Sequence, residues 1–286
     1  MITTVIDLHT HSTASDGTLS PTELVCQAAA AGVRALALTD HDTVAGIAEA
    51  QRAANQANIC LVPGIELSVM WSKRTLHLVG LGLDVNNQKL RDVLQQALDF
   101  RRWRAEEIAR KLEIVGVKDA LTGAQMMAGS DLIGRAHFAR YLVEQGFAKD
   151  FRQVFKRFMV KGKPGHVGGE WMQLEAGIGL LHQAGGVAVL AHPARYNLSR
   201  TKLRGLFKEL KSLGADGIEV VSGSHSKDEN QTMAQHALDF DFPASQGSDY
   251  HGPEKPWVQL GRMPPMHYRC TPIWEAGLTL SLVTGL

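Results

Sequence analysis

The chain has 286 residues, with 30 lysines and arginines against 29 aspartates and glutamates, and 44% of its residues are hydrophobic. A net charge of +1 excludes a global polycation, so any contact with nucleic acid would rest on a local patch. The apolar content fits a globular protein with one large core, since barrels of ~200–250 residues form single domains and would leave a few dozen residues for an insertion.

The start, MITTVIDLH, has neither a basic segment nor a long apolar run, and no stretch approaches the ~20 apolar residues that span a bilayer. Cys26, Cys60 and Cys270 are odd in number and form no CxxC pair, which fits reduced thiols in a cytoplasmic enzyme. Short apolar, β-branched runs predict buried strands at Thr3–Leu8, Ala35–Thr39, Ile59–Val62, Leu76–Leu81, Val187–Ala191, Gly217–Val221 and Pro243–Gln246. Helical patterns alternate with them at Pro21–Ala31, Val44–Asn55, Gln173–Ala184, Lys202–Leu213 and Asp228–Asp239. Ser20 is the expected cap of the first helix, with Pro21 at its first position and Gly32 just past its end. Asp42 or Thr43 is the expected cap of the second. This alternation implies a parallel sheet, and about seven strands argue for a closed or nearly closed barrel.

The alternation breaks between 87 and 169. Leu90–Val115 reads as one long helix with Leu90, Val93, Leu94, Ala97 and Leu98 on one face, followed by helices at Gly123–Ala128, Arg135–Gln145 and Asp150–Val160. The expected organisation is an α/β barrel from 1–86 and 170–286, with an all-α insertion at 87–169 overhanging the barrel end that carries the chemistry.

Six histidines and three carboxylates recur at strand ends: His9, His11 and Asp16 in DLHTHSTASD, His41 in LTDHD, Glu66 in PGIELS, His77 in LHLVG, His192 in LAHP, and Asp249 and His251 in SDYH. His9 and His11, two residues apart on a strand, leave on the same face and can reach one ion. Mixed imidazole and carboxylate donors suit Zn²⁺, Mn²⁺ or Fe²⁺, and two or three such ions hydrolyse phosphate esters. Taken singly, each residue has an ordinary role: Asp16 a turn, Glu66 a loop acid, His77 a core histidine. As an ordered set they point to a multinuclear metal centre.

DLHTHS, TDHD, GIELS, AHP and SDYHG, in that order from Asp7 to Gly252, resemble the PHP (polymerase and histidinol phosphatase) family, relatives of the amidohydrolases. GRAHFARYLVEQG, GGVAVLAHPARYNLS and DGIEVVSGSHS resemble one branch, the 3′,5′-nucleotide bisphosphate phosphatases and the related 5′→3′ exoribonucleases of the ribonuclease AM type. The resemblance implies a distorted (β/α)7 barrel carrying three divalent ions, Mn²⁺ first, with Zn²⁺ or Fe²⁺ as alternatives. It places His9, His11, Glu66 and Asp249 on one ion, with Glu66 bridging to a second held by His77 and His192. Asp16, His41 and His251 match the third; some members have histidine where Asp16 stands. His9, His11, Glu66, His192 and Asp249 are the expected catalytic set, acting through a metal-bound hydroxide in line with a departing ribose oxygen. Asp7, Asp40 and Asp42 are placed to accept from ligand ring nitrogens, with capping or strand-end solvation as the alternative.

A bisphosphate needs further cationic groups. Arg135 and His137 open an insertion helix, Lys161 and Lys163 lie on a Gly/Pro loop, and Arg195 follows AHP closely. His225 is positioned to touch phosphate or protonate a leaving oxygen. Arg152, Lys156 and Arg157, and likewise Arg101, Arg102 and Arg104, read as solvated helix faces. Trp171 and Tyr196 suit base stacking or packing. The expected partners are a small nucleotide or short RNA ends, with no membrane and no obligatory protein partner. An amidohydrolase acting on a C–N bond would call for a metal-bridging lysine or a different ligand order, and no lysine occupies such a strand end; a non-catalytic module would lack ligands.

Overall fold

In the computed structural model, which describes residues 5–254 and 257–278, eight strands form one sheet: β1 (Val5–Asp7), β2 (Val33–Leu38), β3 (Cys60–Trp71), β4 (Arg74–Leu81), β5 (Met172–Gln173), β6 (Val187–Leu190), β7 (Gly217–Ser222) and β8 (Ala244–Gly247). Of the expected first strand, residues 3 and 4 lie outside the described residues. The order is β1-β2-β3-β4-β6-β7-β8, with β5 attached to β3. Leu8 N–H donates to the Gln246 carbonyl at 3.0 Å and Asp249 N–H to the His9 carbonyl at 2.9 Å. These bonds bring β8 against β1, and the seven-stranded path nearly closes into a barrel. Among the described residues, no helix is long and apolar enough to cross a membrane.

The sheet is mixed rather than parallel: β4 runs antiparallel to both β3 and β6. The predicted strand at Ile59–Val62 continues through Pro63 and Gly64 to Trp71, then reverses through Ser72 and Lys73, both at positive φ (46° and 63°). Two left-handed residues in a row make the tight hairpin whose twist matches paired strands. Without an Asn-Gly or Asp-Gly pair, the local sequence hides it. Gly64 permits the continuation, because a Cβ there would stand 2.8 Å from Thr39 Cγ2 and 2.9 Å from the Gly80 carbonyl.

Around the sheet lie α1 (Pro21–Ala30), α2 (Ile47–Ala57), α7 (Leu174–Gln183), α8 (Arg200–Ser212), α9 (Lys227–Asp239) and α10 (Ile273–Ala276). Ser20 and Glu23 cap α1 reciprocally, with Pro21 at its first position. The expected cap of α2 is corrected: the helix starts at Ile47 with Gly46 before it and no side-chain cap. Asp42 is turned to other partners, described below.

Between β4 and β5 the chain is helical: α3 (Gln88–Ile114), α4 (Ala120–Ala128), α5 (Arg135–Glu144) and α6 (Phe151–Val154), which runs into a π turn at Phe155–Met159. The two halves of α3 serve different cores. Leu90 and Leu94 pack on the barrel with Ile178 and Leu181, while Ile108 and Leu112 pack with Phe138, Leu142 and Phe158 among the lid helices. Burial of the α3 stripe against both bodies fixes the lid to the barrel.

Candidate metal centre

The extended chain beyond β1 carries His9 and His11 side by side, their Nε2 atoms 3.1 Å apart. Glu66, inside β3 rather than on a loop, projects between them, with Oε2 at 3.3 Å from His9 Nε2 and 3.2 Å from His11 Nε2. From the loop just after β8, Asp249 Oδ1 approaches the same two nitrogens at 3.6 and 3.5 Å. The other Glu66 oxygen meets His77 Nδ1 at 2.7 Å and His192 Nε2 at 2.8 Å. His41, paired beside Glu66 across β2 and β3, brings Nδ1 to 3.0 Å from Oε2. Asp16 Oδ1 lies 3.3 Å from His251 Nε2 and 3.9 Å from both His41 Nε2 and His11 Nδ1. His77 sits within β4, not at its C-terminal end, and reaches the cup because β4 runs against its neighbours.

Three overlapping donor sets result, each with its atoms within 4.8 Å of one another: His9, His11, Glu66 and Asp249; His41, Glu66 and His77; and His11, Asp16, His41 and His251. His192 joins through Glu66. All nine sequence candidates therefore converge, with Glu66 at the centre.

The electrostatics follow from this crowding. Burial works against an ionised Glu66, yet His41, His77 and His9 around it hold its pKa well below the usual carboxylate range. Asp16 and Asp249 are lowered in the same way, mainly by His251, against their burial. Burial opposes a charged His9 too, but Glu219 and Glu66 raise its pKa well above the ordinary value. Asp249 and Glu66 likewise outweigh burial at His11, whose pKa rises to about 9. At His41 burial wins, and the pKa falls to about 3. Without a bound cation, the protons that His9 and His11 retain balance part of the negative charge on Glu66, Asp16 and Asp249, the charge a divalent cation would otherwise neutralise.

Five buried donor atoms here lack a hydrogen-bond partner: His11 Nδ1, Asp16 Oδ1, His41 Nδ1, Glu66 Oε2 and His192 Nδ1. Such atoms are costly inside a protein unless something satisfies them. Imidazole nitrogens and carboxylate oxygens this close fit borderline divalent cations.

The expected ring acceptors are corrected. Asp7 accepts from the Ser248 N–H at 2.8 Å, and burial raises its pKa to about 6. Asp40 accepts from the Ser12 N–H and from the Ser12 and Ser15 hydroxyls. Asp42 accepts from the Ser68 N–H at 2.6 Å and from the Arg101 guanidinium. The ring partner the sequence missed is Glu219 on β7, with Oε1 3.0 Å from His9 Nδ1 and Oε2 accepting from the His192 N–H at 2.6 Å. Its signal was one acid inside the apolar run GIEVV.

Arg195 is at the cup, its Nη1 bonded to Asp249 Oδ2 at 2.9 Å. Arg135 is exposed at the head of α5, its guanidinium 5.6 Å from the Phe155 ring centre. His137 is buried and its Nδ1 accepts from the Gly134 N–H, so it caps α5. Lys161 and Lys163 are exposed on the turn after the π segment. Burial, then Arg135, Arg104, Lys111 and Lys161, lower the pKa of His166, which locates one positive field on the lid. Both ring nitrogens of His225 are buried without partners. Tyr196 accepts from the His77 N–H at 2.9 Å, bracing the cup. The solvated reading of Arg101 and Arg104 is corrected: Arg101 is buried on Asp42, Arg104 donates to the Val167 carbonyl, and both lie over Trp171. Trp171, buried by these contacts, packs. The sequence also missed Arg140, which donates to the Asp16 carbonyl at 2.7 Å.

The PHP domain model matches residues 7–160. A 5′-3′ exoribonuclease of Haemophilus influenzae is 44% identical over 94% of this chain and 97% of its own. The chain belongs to the PHP domain family. Within it, a 3′,5′-nucleoside bisphosphate phosphatase of Chromobacterium violaceum is 42% identical over 94% of this PHP chain and 95% of its own. A solved structure of an amidohydrolase from Chromobacterium violaceum, with bound sulfate and no metal, superposes with a TM-score of 0.91 over 94% of both chains at 42% identity.

Proposed function

We propose that this PHP protein removes the 3′-phosphate of nucleoside 3′,5′-bisphosphates, converting pAp to AMP and phosphate. At the coarser level it is a metal-dependent phosphoesterase of the PHP family. The observation that carries the proposal is the convergence of eight donor residues around Glu66, with five buried ligand atoms among the nine residues lacking a hydrogen-bond partner.

In this reading His9, His11, Glu66 and Asp249 hold one ion. Glu66, His77 and His192, with His41 in reach, hold a second, and Asp16, His41 and His251 hold a third. Mn²⁺ is the proposed ion, and Zn²⁺ and Fe²⁺ suit the same donors. Bound divalent ions supply a nucleophile at neutral pH, by lowering the pKa of water, and neutralise charge on phosphoryl oxygens. Arg195, half exposed beside Asp249, presents its remaining N–H groups to a phosphoryl oxygen. Arg135, Lys161 and Lys163 on the lid grip the phosphate that stays behind, and His225 donates to the leaving oxygen. His137, already engaged in capping, supports the Arg135 helix rather than contacting substrate.

The similarity to a bisphosphate phosphatase over nearly the whole chain supports this reading. The 44% identity to an exoribonuclease favours a second: stepwise release of nucleotides from short 5′-phosphorylated RNA. Both reactions break a P–O bond at a ribose 3′ oxygen beside a recognised 5′-phosphate. Rates on pAp, 5′-phosphorylated oligoribonucleotides and histidinol phosphate, with Mn²⁺ in a cytoplasm-like buffer, separate them. Higher kcat/KM on pAp is the expected result; preference for the oligonucleotide selects the second reading, and turnover of histidinol phosphate alone overturns both.

A further inference from the structure

Glu219 is a buried carboxylate on a strand that is buried along its whole length. A buried charge is retained at a cost unless its partners repay it. Both of its partners belong to the cup, and they come from opposite sides: His9 follows β1, and His192 follows β6. We infer that Glu219 is a positioning residue of the metal centre, setting the tautomer of His9 and the backbone of His192 with one carboxylate. This rests on the metal-centre reading above.

The tautomer argument starts at the His9 and His11 rings. Their Nε2 atoms face each other at 3.1 Å with Glu66 Oε2 against both. His9 offers an Nε2 lone pair to a cation only if its proton sits on Nδ1, and a buried Nδ1–H needs an acceptor. Glu219 Oε1 is that acceptor at 3.0 Å. Glycine at 247 leaves room for the pair: a Cβ there would stand 2.2 Å from His9 Cβ and 2.9 Å from Glu219 Oε1.

The backbone argument concerns His192, which has φ 29° and ψ 57°, a left-handed conformation that side-chain-bearing residues rarely adopt. Its N–H points to Glu219 Oε2 at 2.6 Å. Releasing that bond lets the residue relax and carries its ring off Glu66. One carboxylate therefore registers two donors across the barrel, and it does so with both oxygens.

Glutamine is the discriminating substitution, because its amide has a single acceptor. With its oxygen on His9 Nδ1, the amide N–H₂ faces the His192 N–H. With the amide turned over, it favours a neutral His9 whose proton lies on Nε2, where a cation would bind. Mn²⁺ titration of wild type, Glu219→Gln and Glu219→Asp tests this, with two-bond ¹H–¹⁵N spectra of the histidines recorded on the chains loaded with diamagnetic Zn²⁺, where His9 carries a single ring proton. Glu219→Gln should bind Mn²⁺ about 10–100-fold more weakly, with His9 shifted from the Nδ1–H form. Glu219→Asp keeps two acceptors and should fall between. Wild-type affinity or an unshifted His9 in Glu219→Gln overturns the inference, as does an equal loss in Asp and Gln, the mark of packing alone. If only Glu219→Asp folds, wild-type affinity in that variant overturns it as well. Wild type that binds no Mn²⁺ overturns the metal-centre reading itself, a result distinct from the others.

Discussion

His137 caps α5 with a neutral ring, and burial lowers its pKa from 6.5 to about 4. The unfolded chain takes up a proton below pH 6.5 that the folded ring refuses until near pH 4. Its contribution is thus complete above pH 6.5 and lost as pH falls toward 4, by up to about 3 kcal/mol. Glutamine at this position can still accept from the Gly134 N–H, as in a capping box, without titrating. Urea unfolding of wild type and His137→Gln should therefore show wild type losing ground steadily between pH 6.5 and 4. Parallel profiles would remove the assignment. Strain is also a residue-scale feature of the cup: Asp42, His192 and Asp249 all have positive φ without being glycine. Such geometry persists only where surroundings over-determine it, and here each residue is held by bonds from another strand or helix.

At the scale of elements, the lid is tied to the barrel beside the cup at two points. Arg101 of α3 donates through Nε at 2.9 Å, and through a second nitrogen, to Asp42, which neighbours His41. Arg140 of α5 donates to the Asp16 carbonyl. Opposing effects decide the Asp42 pKa: burial raises it, and Arg101 with the Ser68 N–H more than offsets this. Arg101→Ala would leave that carboxylate buried and unpaired, at a cost of about 3–5 kcal/mol in chemical denaturation. Asp42→Ala in the same chain should recover part of the loss; strictly additive effects would show the pair to be uncoupled. The cap of α1, the helical stripe of α3 and the strand cores were legible in sequence because they depend on residues a few positions apart. The antiparallel β4 was not, since alternation marks a strand's buried face without naming its neighbour or direction.

For the whole molecule, donors from β1, β2, β3, β4, β6 and β8 and their following loops meet in one cup, which only folding assembles, so ions there stabilise the folded state. Each such site adds RT ln(1 + [M]/Kd), about 2.7 kcal/mol at a hundredfold excess over Kd. Thermal unfolding with Mn²⁺ should therefore occur at higher temperature than with a chelator, and dependence on Mn²⁺ concentration checks it. A midpoint indifferent to both would count against the centre. By itself the sequence named the nine residues that folding brings together, because imidazoles and acids at strand ends keep their identity whatever the register, and the ordered motifs matched a family. It also set the α/β alternation and the helical run between β4 and β5. Only the tertiary structure decided which groups support those ligands. Glu219 meets His9 across 210 residues of chain, and Arg101 meets Asp42 across 59. Locally one is an odd acid in a strand and the other a surface arginine; a buried charge takes its meaning from the partner that folding brings to it.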